Sequence, residues 1–491
     1  MLISRRFTLA AFVLIVIAAS LAAISASAEP SPGASWMGIY FGKSKIGYAK
    51  FNTDRVEYEG RECYRMFSSI NTRLLVLGMD VAQQIDSTIY VNDKNTPVYE
   101  VFTMSSAGHT TNVTAKFSRD EIVAELTAEG AETHKTIPIP PGSKVIGDTM
   151  FPSNNMKIKV GDRLVNKVFN PLTLSLDEVR TEVLREEQLE FGGSMNDYLV
   201  VKSATSMGDI TCWQDRNGDV LKAIGPMGFT MIRETENVAR SQTAPDGSAE
   251  YLTPSDLAAN AAAPVSSDIA DPRNVKYLKI RFSGIAEKSL AISDAVQKAS
   301  ITGSGPYTVE YELSAETGDA SKSLTLPVSG ENQADFLEES AYVQPKNEEI
   351  SKLSTQIVGG EKNASKAVSL LRSWVNTNMR SKGDVGIVRS SLDVLHTKTG
   401  VCRDYAILYT ALARSAGIPT KVVSGLVFWQ GKFYYHAWAE SYTGRWTPVD
   451  ATLPTDFVDA THIKFAEGDA TSMFSLARLM GVIKAEILKV E

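Results

Sequence analysis

Cysteine, basic charge and long apolar stretches are all in short supply in this 491-residue sequence. Cysteine occurs three times, as Cys63, Cys212 and Cys402, so at least one thiol stays outside any disulfide. Cys63 and Cys212 share the N-terminal region and either pair or sit apart as two buried thiols. Cys402 has no cysteine neighbour in its own region, and an unpaired thiol in an oxidising compartment needs a reason. Lysine and arginine number 50 against 57 aspartate and glutamate, for a net charge of −7. Without a basic tract, this balance argues against a nucleic-acid partner. Beyond residue 28 no apolar run is long enough to span a bilayer as a helix.

A composition of 43% hydrophobic and 22% charged residues is that of a folded chain, and the length calls for two or three domains. The first 28 residues differ from the rest. Arg5 and Arg6 precede an apolar run from Leu9 to Ile24, and Ala26-Ser27-Ala28 follows it. This pattern reads as a signal peptide over residues 1–28, with an uncleaved anchor as the alternative. Its removal takes two positive and no negative charges, moving the net charge from −7 to −9. The remaining chain is expected to be exported, periplasmic or extracellular, with association at an envelope or membrane surface left open.

Residues 34–240 alternate in short β-branched and aromatic runs, which predicts an antiparallel β domain. Hairpins are expected at Ile39 to Tyr48 and at Ile210 to Leu221, the latter turning at Asn217-Gly218. Asp215, Asn217 and Asp219 have a calcium-loop spacing, but Asn-Gly accounts for them as a tight turn. Residues 241–273, rich in Ala, Ser, Pro and Asp, read as a linker. Alternation over Val275 to Phe282, with further strand signals at Tyr307 to Leu313 and Ser323 to Pro327, predicts a small β module over 274–344. From 345 to 491 helical spacing takes over, with Ile350, Leu353, Ile357, Ala367, Leu370, Leu371, Trp374 and Val375 on apolar stripes and Trp374 expected in the core. Sequons occur at Asn112 and Asn363.

The segment from Thr399 to Pro419 concentrates chemistry. Tyr405, Leu408, Tyr409, Leu412 and Ala416 share one helix face, and Gly417 with Pro419 ends the helix. Cys402 therefore opens that helix, where the dipole and free N–H groups favour a thiolate and can contribute to an oxyanion hole. Lys421 to Trp429 and Phe433 to Tyr442 read as paired strands, followed by a strand ending at Asp450. Neighbouring antiparallel strands can set His436 beside Asp450, giving base and orienting acid for a thiol nucleophile. Singly, a cysteine in an apolar helix is often a packing residue, a strand histidine structural and a strand-end aspartate a turn former. All three in this order are hard to explain in that way.

Five blocks in order carry a resemblance: Gly400-Val401-Cys402-Arg403-Asp404-Tyr405-Ala406, Ala416-Gly417-Ile418-Pro419, Val423-Ser424-Gly425, His436-Ala437-Trp438-Ala439-Glu440 and Trp446-Thr447-Pro448-Val449-Asp450. Over about residues 345–455 the chain resembles the transglutaminase-like superfamily. The resemblance implies a papain-like α+β fold in a multidomain α+β chain, with Cys402 as nucleophile, His436 as base and Asp450 as third member of the triad. It implies no cofactor and no particular substrate, since the superfamily includes proteases, amidases and crosslinking acyltransferases.

Trp429, Gln430 and Trp438 are candidates for a second oxyanion donor, although packing explains the tryptophans equally well. His109, His134, His396 and His462 lack the spaced partners of a metal site, so no metal is expected, and solvated or helix-cap roles are assigned to His396 and His462. Arg403 and Asp404 are read as helix-start pairing or loop anchoring and stay outside the catalytic set. Two functions follow. The first is a cysteine enzyme acting on amide or peptide bonds of a protein or peptide substrate through a thioester. The second is a non-catalytic scaffold that binds an envelope or surface protein.

Overall fold

The structure, a computed structural model, describes residues 34–491 except 77–78, 107, 129–130, 148–157, 217, 242–261, 266, 316–322, 330, 382–387 and 456. The expected signal segment lies outside the described residues. The chain forms two compact units, one ending at Leu257 and one running from Ala258 to Glu491.

The N-terminal unit is one fourteen-stranded antiparallel sheet. Ala131–Pro138 lies at one edge, and hairpin neighbours lead back in sequence order to Ser35–Phe41. That strand pairs with Phe229–Glu234, from which neighbours run to Arg163–Asn170 at the other edge. Alternation supplies the packed face: in Glu121–Ala128 the buried residues are Ile122, Ala124, Leu126 and Ala128. Phe117 meets Phe169 edge-on with centroids 5.8 Å apart, although their strands are distant in the sheet order, so the sheet curls toward itself. Both expected hairpins form, Ser35–Phe41 with Ser44–Tyr58 and Gly208–Gln214 with Val220–Ile224. Asn217 is outside the described residues, but the turn around it is closed. The Asp219 amide donates to Asp215 Oδ1 at 2.9 Å and the Gly218 amide to the Asp215 carbonyl at 3.0 Å. Cys63 and Cys212 are two separate buried thiols.

In the C-terminal unit, Ala262–Pro264, Lys432–Tyr442, Thr420–Trp429 and Ile463–Gly468 lie side by side, and Trp446–Val449 also pairs with Lys432–Tyr442. Helix Cys402–Ser415 packs on the two central strands and is flanked by helices Glu348–Val358, Ala364–Asn378 and Ser391–Thr397. It is buried from Arg403 to Arg414, as expected of a helix enclosed on all sides. Side chains tie it down: Tyr409 Oη and Ser441 Oγ are 2.8 Å apart, and Ser354 Oγ donates to the Leu412 carbonyl at 2.7 Å.

Several boundaries differ from the sequence reading. The segment read as a linker ends in structure, because Ala262–Pro264 adds an edge strand whose partners are backbone groups of Lys432, Phe433 and Tyr434. The expected small module is no separate body. Tyr277–Ile285, Gln297–Thr302 and Tyr307–Ser314 form a sheet with the C-terminal strand Lys484–Val490. Phe282 of that sheet packs edge-on against Phe433 and Phe465, with centroids 6.0 and 5.6 Å away, so the two sheets share a core. Ser323 to Pro327 forms no strand, because its amides go to different partners: Leu324 donates to Thr443 and Leu326 to Lys362. Leu370 is 43% exposed and Trp374 half-buried. The buried stripe of their helix is Ala367, Val368, Leu371 and Val375 instead, one step around the surface. Among the described residues no helix is long and apolar enough to cross a membrane.

Candidate active site

Cys402 is the first residue of its helix, and its approach is rigidly built. Asp404 Oδ2 accepts from the Val401 amide at 2.8 Å and pairs with Arg389 at 3.0 Å, both groups being almost wholly buried. Arg389 also donates to the Thr399 carbonyl at 2.6 Å. Gly400 lies against this pair, where a Cβ would come within 2.4 Å of Asp404 Oδ2 and 2.6 Å of the Arg389 guanidinium. Asp404 thus has the helix-start and anchoring role read from the sequence, directly behind the cysteine. Cys402 itself is half-buried.

His436 stands in the middle of strand Lys432–Tyr442, opposite Gly425. The missing side chain at Gly425 is required by space: a Cβ there would lie 1.9 Å from the Ile463 carbonyl and 2.9 Å from the Trp438 ring. Close approach of strand Ile463–Gly468 follows, and Trp438 stacks on the His436 ring at 6.0 Å with planes 21° apart. Asp450 sits one residue beyond the last paired residue of strand Trp446–Val449. Its Oδ2 is 2.8 Å from His436 Nε2. A carboxylate only accepts, so Nε2 carries the hydrogen and Nδ1 is the nitrogen left to act on the thiol.

The Asp450 carboxylate is saturated. Oδ1 accepts from the Thr452 amide at 2.8 Å and the Thr452 hydroxyl at 2.6 Å, and Oδ2 also meets His462 Nε2 at 3.3 Å. His462 had been assigned a solvated or cap role. The fold instead buries it and turns it edge-on to Trp438 at 5.3 Å. Its Nδ1 lies 3.2 Å from the Asp459 carbonyl and 3.4 Å from Asp459 Oδ1. Asp459 is paired at 2.8 Å with Arg273, whose guanidinium also donates to the Phe428 carbonyl at 2.6 Å. A continuous polar chain therefore runs from the thiol side through His436, Asp450, His462 and Asp459 to Arg273. The signal for His462 was its position just before the short strand Ile463–Gly468, but pairing of that strand with Thr420–Trp429 is a tertiary fact.

Burial alone would push the His436 imidazole down. The Asp450 charge and hydrogen bond, together with a hydrogen bond and charge interaction from Cys402, overcome it and raise the group to about 10. Burial likewise favours a protonated Asp450, but His436 and His462 hold its carboxyl well below the ordinary range. Asp459 is held low in the same way by His462 and Arg273 against its burial.

The remaining candidates lie elsewhere. Trp429 and Gln430 are at the hairpin turn, with Trp429 four residues along the strand from Gly425, or about 13 Å at the usual rise. Trp438 faces the two imidazoles with its ring. His396 is exposed and pairs with Glu349 at 3.0 Å, and His134 is exposed. Asn363 caps helix Ala364–Asn378 through the Lys366 amide, and Asn112 is exposed on a strand. Two clusters among the described residues have metal-ligand geometry, His436 with Asp450 and His462, and Asp294 with Glu440 and Glu467. In the first, both imidazoles already spend Nε2 on Asp450. In the second, Lys464 occupies the centre, 2.8 Å from Glu440 and 2.7 Å from Glu467. Neither donor set is left open for a metal ion.

Residues 351–451 match the family model of the transglutaminase-like superfamily, and residues 38–222 match that of a protein of unknown function (DUF3108). An uncharacterised protein of Mycobacterium leprae is 31% identical over 157 residues, which are 30% of this chain and 54% of that protein. The chain thus spans about half the length of the curated relative it matches. Among solved structures, a chain from Cytophaga hutchinsonii proposed to be a cysteine protease is 21% identical, with a TM-score of 0.33, covering 44% of this chain and 89% of that one. A β-barrel-like protein of unknown function from Brucella abortus is 11% identical, with a TM-score of 0.31, covering 41% of this chain and 94% of that one.

Proposed function

With residues 351–451 recognised as a transglutaminase-like domain, we propose that the chain is a cysteine enzyme acting on amide or peptide bonds through a thioester. The observation that carries this reading is the buried His436–Asp450 pair at 2.8 Å, with His436 also coupled to the Cys402 thiol. An imidazole that keeps its proton to about pH 10 is a counter-ion for an adjacent thiolate. The Cys402 thiolate attacks the substrate carbonyl carbon, and amide N–H groups at the helix start steady the oxyanion. Collapse breaks the C–N bond, His436 gives its proton to the departing amine, and a thioester remains. Water or a second amine then attacks the thioester while His436 takes up a proton, and the thiolate is restored. Water makes the chain a hydrolase and an amine makes it an acyltransferase. The ordering of a cysteine-bearing helix against strands bearing histidine and aspartate supports the papain-like arrangement that the family resemblance implies. We place this chemistry outside the cytoplasm, on the strength of the N-terminal signal pattern.

The test is selective alkylation. Iodoacetamide at pH 6 should modify Cys402 in the folded chain and leave buried Cys63 and Cys212 intact. Intact mass with glutamine-containing peptides should show an acyl adduct in the wild type that Cys402→Ala lacks. A Cys402 that stays unmodified in the native chain would overturn the enzyme and leave a binding scaffold.

A further inference from the structure

The N-terminal unit holds an acid that its surroundings do not explain. Strand Pro97–Ser106 alternates from Tyr99 onward, and Glu100 falls on the buried phase together with Phe102 and Met104. It is 7% exposed and lies opposite Ile89 of the neighbouring strand. A cavity of about 100 Å³ lies against it, walled by Ile89, Phe102, Phe117, Phe169 and Met207. The Ser87 hydroxyl approaches Glu100 Oε1 at 3.5 Å, the outer limit of a hydrogen bond. Burial raises the carboxyl to about 8, with the Ser87 hydroxyl opposing only in part.

Other buried acids of the chain have strong partners. Glu234 has Lys45 at 2.7 Å, and Glu440 has Lys464 at 2.8 Å. Half-buried Asp177, also at this cavity, accepts from Asn170 at 2.9 Å, Ser175 at 3.0 Å and the Ser206 hydroxyl. Among the described residues no cation pairs with Glu100. A carboxyl in an apolar wall carries a desolvation cost that a fitted cation would offset. The space beside it is small, with an aromatic wall of Phe102, Phe117 and Phe169 and a polar rim that includes Ser87, Asn170 and Asp177. Since an apolar cavity of about 150 Å³ accepts benzene, this one admits roughly four or five heavy atoms.

We propose that this cavity binds a primary alkylammonium group on a short apolar stem, with the stem among Phe102, Phe117 and Phe169 and the ammonium on the Glu100 carboxyl. A free small amine and a lysine side chain share this chemistry. On binding at pH 7 the Glu100 carboxyl gives its proton to solvent and the ammonium keeps its three, so close to one proton is released per ligand bound. The site involves neither Cys402 nor its partners, and it stands whatever the C-terminal unit catalyses.

Calorimetric titration of the full chain with n-butylamine, in two buffers of different ionisation enthalpy, tests it. Butan-1-ol serves as the neutral match and Nα-acetyl-lysine amide as the side-chain form. The expected result is binding of butylamine at least about tenfold tighter than butanol, with proton release and a comparable loss in Glu100→Gln, as for one charged hydrogen-bonded contact. Binding of the lysine derivative as well assigns a peptide side chain, and binding of butylamine alone assigns a free amine. Both support the site. Failure of both amines to bind, equal affinity for amine and alcohol, or no proton release would overturn it. Undiminished binding by Glu100→Gln would do the same. If that variant does not fold, proton release by the wild type decides.

Discussion

Replacing Asp450 by asparagine removes a charge while keeping nearly the same shape. Oδ1 can still accept from Thr452, so local packing should survive, but the field that holds the His436 proton is lost. In the wild type that imidazole rises from its ordinary 6.5 to about 10 despite burial. At about 1.4 kcal/mol per pH unit, the protonated form is favoured by on the order of 5 kcal/mol, and the Asp450 charge is the largest favourable contribution. With burial the largest influence left, opposed only by the smaller contribution of Cys402, His436 in Asp450→Asn should drop toward or below the ordinary histidine value and lose most of its support for a thiolate. The assay is the rate of iodoacetamide alkylation of Cys402 against pH, with the modified peptide mapped. At pH 6 the wild type should react readily, because the His436 imidazole facing the thiol keeps its proton there. At pH 6 the variant should be slower by about a hundredfold or more, because its neutral imidazole no longer supports a thiolate. A folded Asp450→Asn that alkylates at the wild-type rate at pH 6 would refute the electrostatic coupling argued here.

Further outcomes follow from the same geometry. His462→Gln removes one hydrogen bond and one minor charge interaction from Asp450 but leaves its carboxylate in place. Alkylation of Cys402 at pH 6 should fall by about fivefold, the worth of roughly 1 kcal/mol, against the much larger loss in Asp450→Asn. An equal loss in the two variants would refute that ranking. Gly425→Ala forces a methyl to within 1.9 Å of the Ile463 carbonyl, so urea denaturation should show a loss of about 3 kcal/mol or more. Asp404→Asn leaves buried Arg389 without its charge partner and should destabilise by about 3 to 5 kcal/mol in the same measurement. The pH dependence has two limbs. Asp450 and Asp459, held low, give stability that is present above the ordinary 3.8 and lost in acid, whereas His436, held high, gives stability that is full below 6.5 and lost as pH rises through about 10. Hydrogen exchange of the 420–468 amides should therefore be slowest, after correction for intrinsic rate, between about pH 4 and 6.5.

How far the sequence could be read depends on how local each feature is. Cys402 was placed by helix periodicity and by the Gly417 and Pro419 stop. The His436 and Asp450 strands are successive along the chain, so their pairing follows from one turn. The structure brings those two side chains into contact, and Cys402 acts on the same imidazole. His462 and Arg273 belong to the same polar chain but reach it through contacts that no local pattern signals, one just ahead of a strand added across Thr420–Trp429 and the other 177 residues before Asp450. Ala262–Pro264 read as linker because an edge strand of small residues pairs through backbone alone. Glu100 could have been found, since it falls in phase with Phe102 and Met104 in an alternating run, where an acid breaks the pattern.

The shared core of the two C-terminal sheets sets where this chain can be cut. The family match starts at residue 351, but Phe433 and Phe465 are covered by Phe282, the Lys464 amide is satisfied by Gln297, and Asp459 is paired with Arg273. A fragment trimmed to the match would present bare aromatic surface and strip two polar anchors from beneath His462. Expression of an independently folding transglutaminase-like fragment should therefore begin near Ala258, almost a hundred residues ahead of the recognisable motif.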